Sequence, residues 1–352
     1  MWFSTSQVAY WRGCHYNSRG RVRRSLRNPR GRRNILRPTR RTVKSKSLVA
    51  VAVVCALALT ACGRNNEPVI PATSAAQAAF PLTVSNNNTE VTFDTAPKAI
   101  ISLSPTATEM LFAIGAGQQV IAVDDQSTFP TDAPISDLSG FTPNLEAIVA
   151  KHPDLVVVSN DIDNIVSSLR TAQIPVLVEP AATTLEDTYA QINELGVVTD
   201  HATEAELLAT SMKSKIDEQI ALLSPKAHGL TFYHELDNTM YTVTSATFIG
   251  SIYAMAGLVN IADAAPDASS GYPQLSAEFI VKADPDLIFL ADNTCCSVTA
   301  VELAKRPGMG ALKAVTNGNA TLIDDDISSR WGPRTVDLVT AIVTAVNKAA
   351  GK

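Results

Sequence analysis

The sequence predicts an α/β protein of two similar lobes, each built on a parallel sheet, with a helical connector between them. Three observations carry this. A thirteen-residue segment occurs twice: Glu146–Val158 (EAIVAKHPDLVVV) and Glu278–Leu290 (EFIVKADPDLIFL) agree at six positions, at a constant spacing of 132 residues. On either side of both copies, short apolar runs alternate with helical periodicity, the pattern of strands covered by helices on both faces. Between 183 and 225 the strand rhythm stops and helical spacing alone continues.

The charge is unevenly spread. Residues 1–61 hold 14 Lys or Arg and no carboxylate, so residues 62–352 carry a formal charge of −19. Such an acidic body argues against nucleic acid or an anionic lipid surface as direct ligand. Lys44 and Lys46 precede an apolar run, Leu48–Leu59, followed by Thr60, Ala61, Cys62 and Gly63. A positive flank, a short hydrophobic stretch and small residues describe a secretory signal over 1–61. From Leu48 to Ala61 is 14 residues, short of the ~20 that span a bilayer. The run Leu59-Thr60-Ala61-Cys62 resembles a bacterial lipobox, in which the cysteine is acylated and becomes the first mature residue. The alternative is an ordinary signal followed by an incidental cysteine. The Arg-rich stretch 1–42 reads either as lying upstream of a true translation start near Val43 or as a disordered basic arm.

Of five cysteines, Cys14 and Cys55 leave with the leader and Cys62 takes lipid. The adjacent Cys295 and Cys296 remain, in an exported and oxidising setting. A vicinal disulfide, a reduced pair and a soft-metal site all stay open for them, although a dedicated thiolate cage is not expected.

The elements follow in order. Residues 62–84 form a lipidated, polar tether. In an N-terminal lobe, 85–182, Ala99–Leu103 is a strand and Ser104, Pro105 and Thr106 start a helix, with proline in its first turn. Gly115 and Gly117 stop that helix, and Val120–Val123 is the next strand. Asp124–Gly140 is loop, the first repeated unit ends at Val158, Ser167–Ala172 is helix and Pro175–Val178 strand. The connector, 183–225, carries Leu185, Tyr189, Ile192 and Leu195, then Ala205, Leu208, Met212, Ile216 and Ile220, with Gly196 interrupting and Ser224-Pro225 closing. A C-terminal lobe, 226–352, begins with the strand Leu230–Tyr233. There Ala246-Thr247, followed by a helix ending at Gly257, echoes Ala107-Thr108 and Gly117 at spacings that agree within a residue. The lobe closes with the strand Ala320–Ile323 and a helix from about Val336.

The doubling places Glu146 and Glu278 at equivalent positions, one per lobe, as suits a molecule that faces a two-fold partner. The segment Pro97–Gly115, the Asn144-Leu145-Glu146 unit with Pro153-Asp154-Leu155, and Pro285-Asp286-Leu287 resemble the type III (helical-backbone) solute-binding proteins of ABC importers for cobalamin, ferric siderophores and haem. The resemblance covers roughly 85–350. It implies two Rossmann-like lobes joined by a single long connecting helix, ligand in the cleft between them, and one glutamate per lobe docking on arginines of a permease dimer. Those glutamates fall on Glu146 and Glu278. Small lobe motions are expected from a stiff bridging helix.

The cleft is expected at loops following strand C-termini. Ser104, Thr106, Phe129 and Phe141 of the first lobe, and Tyr233, Thr247, Tyr272, Arg330 and Trp331 of the second, are the candidate ligand-binding residues. Phe129, Tyr272 and Trp331 are candidate aromatic walls, and an arginine there can engage a carboxylate or phosphate. Trp331 reads equally as a packing residue, and Tyr233 with His234 reads as haem iron ligands or as structure. Gln126 and Leu138 stand where cobalamin receptors would be expected to carry aromatic platforms.

The expected protein is an extracytoplasmic monomer, tethered to the lipid bilayer through Cys62. It captures a corrinoid or ferric chelate and delivers it to the permease, without catalysis, cofactor or resident metal. A haem or free Zn/Mn receptor of the same fold is one alternative; of the mature histidines, only His234 is well placed for a metal. An exported hydrolase is the other, although no His-Glu-x-x-His, Gly-x-Ser-x-Gly or phosphate-loop pattern occurs.

Overall fold

A computed structural model describes residues 79–351. The expected leader, the lipobox and Cys62 lie outside the described residues. An antiparallel hairpin, β1 (Leu82–Asn86) with β2 (Thr89–Phe93), opens the fold. Its Leu82 and Val84 pack on the first core, so structure begins inside the stretch expected to be tether. Asn86 then ties the hairpin to the edge of the first sheet, accepting from Val178 N at 2.8 Å and donating to Val178 O at 3.2 Å.

That sheet comprises β3 (Ile100–Leu103), β4 (Val120–Val123), β5 (Leu155–Val158) and β6 (Val176–Val178), all parallel in the order β4-β3-β5-β6. Every residue of β3, β5 and β6 is buried, because helices cover both faces; this is why the sequence shows unbroken apolar runs instead of alternation. The covering helices are α1 (Pro105–Ala113), α2 (Leu145–Val149) and α3 (Ile165–Thr171).

The connector is two helices, α4 (Leu185–Val198) and α5 (Ala202–Ala221), not the single long helix expected. Asp200, with φ +63°, turns the chain between them. Gly196 lets them touch: a Cβ on Gly196 would lie 2.3 Å from Ala205 Cβ. Both helices bridge the lobes: α4 puts Ile192, Leu195 and Val198 in the core of the first lobe and Leu185 in that of the second, and α5 runs alongside it. In α5, Ala205 and Met212 join the core of the first lobe and Ile216 that of the second, over a length of about 30 Å.

The second sheet repeats the first. Strands β7 (Thr231–Glu235), β8 (Val259–Asn260), β9 (Leu287–Leu290) and β10 (Ala320–Leu322) are parallel in the order β8-β7-β9-β10. Around them lie α6 (Phe248–Met255), α7 (Ala277–Ala283), α8 (Ala300–Lys305), α9 (Asp325–Ser329) and α10 (Thr335–Ala349). The repeated Pro-Asp now has a reason. Asp154 accepts hydrogen bonds from Lys98 N and Ala99 N at the start of β3; Asp286 accepts from Thr231 N and Oγ1 at the start of β7. Each aspartate pins its own strand to the centre of its sheet.

The Ala-Thr echo lies in a different register from the one expected. Ser104 and Thr247 are the residues that cap the matching helices α1 and α6. Gly115 and Gly257, both left-handed, follow their C-terminal ends. Thr108 is instead one turn inside α1.

Candidate functional site

The loops leaving the C-terminal ends of both sheets meet at one seam. Thr128, after β4, donates to Asp326 of α9, after β10, at 3.1 Å. Arg330 donates to the Gln126 carbonyl at 3.0 Å. Beneath them lies Glu109 of α1, about 1% exposed at its side chain. It accepts from Arg330 Nη1 at 2.9 Å, from Arg334 Nη2 at 2.5 Å and from Arg334 Nε at 2.9 Å. Arg330 also pairs with Asp326 at 2.8 Å. Removing one partner of such a buried ion group typically costs about 3–5 kcal/mol, because the remaining charge is stranded.

Between the two arginines, Trp331 donates its indole N–H to Gln191 of α4 at 2.9 Å and packs against both cores. Gly332 passes close under α1: a Cβ there would lie 3.6 Å from both Glu109 Oε2 and Thr106 Cγ2. The Arg334 guanidinium sits 4.4 Å above the Phe129 ring, a cation–π contact that fixes the loop after β4.

Each lobe adds a buried polar knot at its strand ends. In the first, Ser127 donates to Asp124 at 2.5 Å and meets Thr108 at 2.9 Å, while Thr108 also donates to Ser102. Burial pushes the Asp124 carboxyl up to about 6, against the lowering effect of Ser127. In the second, Glu235 accepts from Tyr233 at 3.1 Å and from Arg306 at 2.7 Å. Burial, and then the neighbouring Glu235 charge, hold the Asp292 carboxyl well above the usual range. His234 is held neutral, its pKa lowered by burial to about 3.

The structure sorts the candidate ligand-binding residues. Phe129 is 42% exposed, and Phe141, Tyr272 and Trp331 are half-buried on the same strand-end loops. Ser104, Thr106, Tyr233, Thr247 and Arg330 are all less than a tenth exposed. Ser104 and Thr247 spend their hydroxyls on helix caps. Arg330 is consumed by Glu109 and Asp326. Tyr233 and His234 are both fully buried, and His234 turns its Nδ1 to the Tyr253 hydroxyl at 2.8 Å. Among the described residues, no three His, Cys, Asp or Glu side chains are grouped to hold a metal. Cys296 lies half-buried in a one-turn helix, Asn293–Cys296, against the second core.

Sequence reasoning missed Glu109, Gln191 and Asp124. Glu109 carried a readable signal: a lone carboxylate ahead of Met110, Leu111 and Phe112 on a buried helix needs a cation.

Glu146 and Glu278 both occupy the second position of a short helix, behind the caps Asn144 and Ser276, and both are exposed. Hydrogen bonds to its own backbone N–H and to the Ser276 hydroxyl hold the Glu278 carboxyl below its usual value. Exposed valines follow each by three residues, Val149 at 37% and Val281 at 38%.

A family model described as periplasmic binding protein matches residues 100–327. The uncharacterized ABC transporter substrate-binding lipoprotein YvrC of Bacillus subtilis is 28% identical over 314 residues, covering 86% of this chain and 97% of its own length. A cobalamin-binding protein of Halobacterium salinarum is 30% identical over 310 residues, covering 84% of this chain and 83% of itself. Among solved structures, the periplasmic vitamin B12 binding protein BtuF of Vibrio cholerae superposes with a TM-score of 0.61 at 23% identity, over 72% of this chain and 99% of that one. This last likeness is one of fold.

Proposed function

Because the chain belongs to the periplasmic binding protein family, we infer that it is the corrinoid receptor of an ABC importer, carried on the outer face of a cell membrane by lipid on Cys62. The coarser part is plain: it is an extracytoplasmic substrate-binding protein of a transport system, working with a permease on a small ligand, and not an enzyme. The observation that carries the finer reading is the relative named as cobalamin-binding, similar along more than four-fifths of both chains. The finer reading is supported by Phe129, Phe141 and Tyr272, incompletely buried on loops that follow strand C-termini, which offer aromatic surface suited to a large flat ligand.

Glu146 and Glu278 are the proposed docking carboxylates. Exposed and set on equivalent helices, they suit bidentate arginine partners. The lipid anchor rests on the lipobox-like run before Cys62 and on the lipoprotein named among the relatives. Among the described residues no helix is long and apolar enough to cross a membrane.

Calorimetric titration of the purified protein with cyanocobalamin tests the ligand, with Phe129→Ala and Tyr272→Ala expected to weaken binding at least tenfold. No heat of binding, or full affinity in both variants, would sink the corrinoid assignment. Cell fractionation of Cys62→Ala is the parallel check of anchoring, with release from membranes expected.

A further inference from the structure

The strand-end loops are charged almost entirely with one sign. Those that follow β3 to β10 hold fourteen carboxylates and two basic side chains, Arg330 and Arg334, with no lysine among them. Both arginines are already committed. Glu109 takes two hydrogen bonds from Arg334 and one from Arg330, and Asp326 takes a second ion pair from Arg330. The charge of both arginines is thus already opposed within the protein, by Glu109 and Asp326.

The opposite end of the sheets differs. Lys98, Lys151, Lys226 and Lys313 lie there, near Asp154, Asp284 and Asp286, so the two signs are interspersed. The polarity of the molecule is therefore a property of its ligand-facing end. Burial holds the Glu179 and Asp292 carboxyls above their usual range. Asp125, Asp132, Asp137, Asp263, Asp267 and Asp324 are exposed to solvent. A recess lined by one sign within low-dielectric walls focuses its field on whatever approaches.

We infer that the seam takes a metal chelate of zero or positive net charge, favours the cationic member of any such pair, and rejects polyanionic chelates. This rests on the binding-protein reading and narrows it. Within corrinoids it favours the aquo form, with its cationic cobalt centre, over the neutral cyano form. Within ferric chelates it favours a cationic trihydroxamate over a neutral one and excludes a tris-catecholate. The two propionates of haem place it on the disfavoured side.

Stopped-flow binding to the full-length purified protein, at low and at high salt, tests this with five probes: aquocobalamin, cyanocobalamin, a cationic and a neutral ferric trihydroxamate, and a ferric tris-catecholate. Whichever chelate class binds, its cationic member should associate roughly tenfold faster at low salt. That lead should collapse at high salt, where the screening length falls to a few ångströms. The triple variant Asp125→Asn, Asp132→Asn, Asp137→Asn changes only exposed side chains, and should shrink the same lead several-fold. Equal, salt-independent rates for cationic and neutral partners would overturn the inference and leave the receptor reading standing, as would capture of the tris-catecholate. Failure of all five probes to bind overturns both.

Discussion

Asp124 is barely exposed at the end of β4, and burial outweighs its short bond from Ser127 to push its carboxyl from 3.8 up to about 6. Between those two values the folded protein retains a proton that the unfolded chain has released. Stability contributed by this residue is therefore present at low pH and declines as the pH climbs from about 4 to 6. An asparagine has no proton to lose. Relative to wild type, Asp124→Asn should gain about 2–3 kcal/mol between pH 4 and pH 7 in urea melts; a pH-independent difference would show that the carboxyl ionises at its ordinary value. At this scale, Glu146 and Glu278 were legible because a repeat reports equivalence directly. Ser104 and Thr247 were not, since a hydroxyl that caps a helix and one that lines a cavity occupy the same strand-to-helix corner in a sequence. Arg330 looked like a ligand anchor because its partner, Glu109, lies more than 200 residues away.

Strands β3, β5, β7 and β9 were readable from apolar runs alone, and so was the parallel arrangement they imply. The connector was half readable. Its periodicity predicted helix throughout, and Gly196 was noticed as an interruption, yet the break falls at Thr199–His201 and the glycine serves close packing instead. The methyl group of Ala205 already fills the space facing Gly196 and leaves no room for a second one. Gly196→Ala would gain up to about 1 kcal/mol of helix propensity but drives its Cβ into Ala205, and overpacking of this kind costs about 1–3 kcal/mol. A lowered melting temperature is the expected net result, partly restored by adding Ala205→Gly. A melting temperature at or above wild type would mean that α4 and α5 separate freely. The register of the Ala-Thr echo was misread for a related reason. Two small identical residues are weak markers, whereas a cap and a left-handed glycine are fixed by backbone geometry and mark the ends of α1 and α6 in both lobes.

For the molecule as a whole, the identical order of the two sheets vindicates reading the sequence as a doubled fold, and the interlobe seam follows from where eight strands end. Its closure by Glu109, Arg330, Arg334 and Trp331 was beyond sequence reasoning, because it depends on how two lobes pack. If the two exposed glutamates are the handles a permease grips, their replacement should separate transport from capture. Glu146→Ala combined with Glu278→Ala should reduce uptake by at least tenfold while the affinity for ligand stays within about twofold; loss of affinity in the double variant would assign the pair to the cleft instead.

The repeat also has a geometric corollary. Asn144 and Ser276 start twin helices, and Glu146 and Glu278 project from the same rung of each. A translocator made of two identical halves looks the same after half a turn, so a receptor with matched grips can land on it facing either way. That degeneracy favours encounter by a factor of two, about 0.4 kcal/mol. The positions at which the two copies differ, Ala147 against Phe279 and Lys151 against Ala283 among them, would let the complex tell its two settings apart.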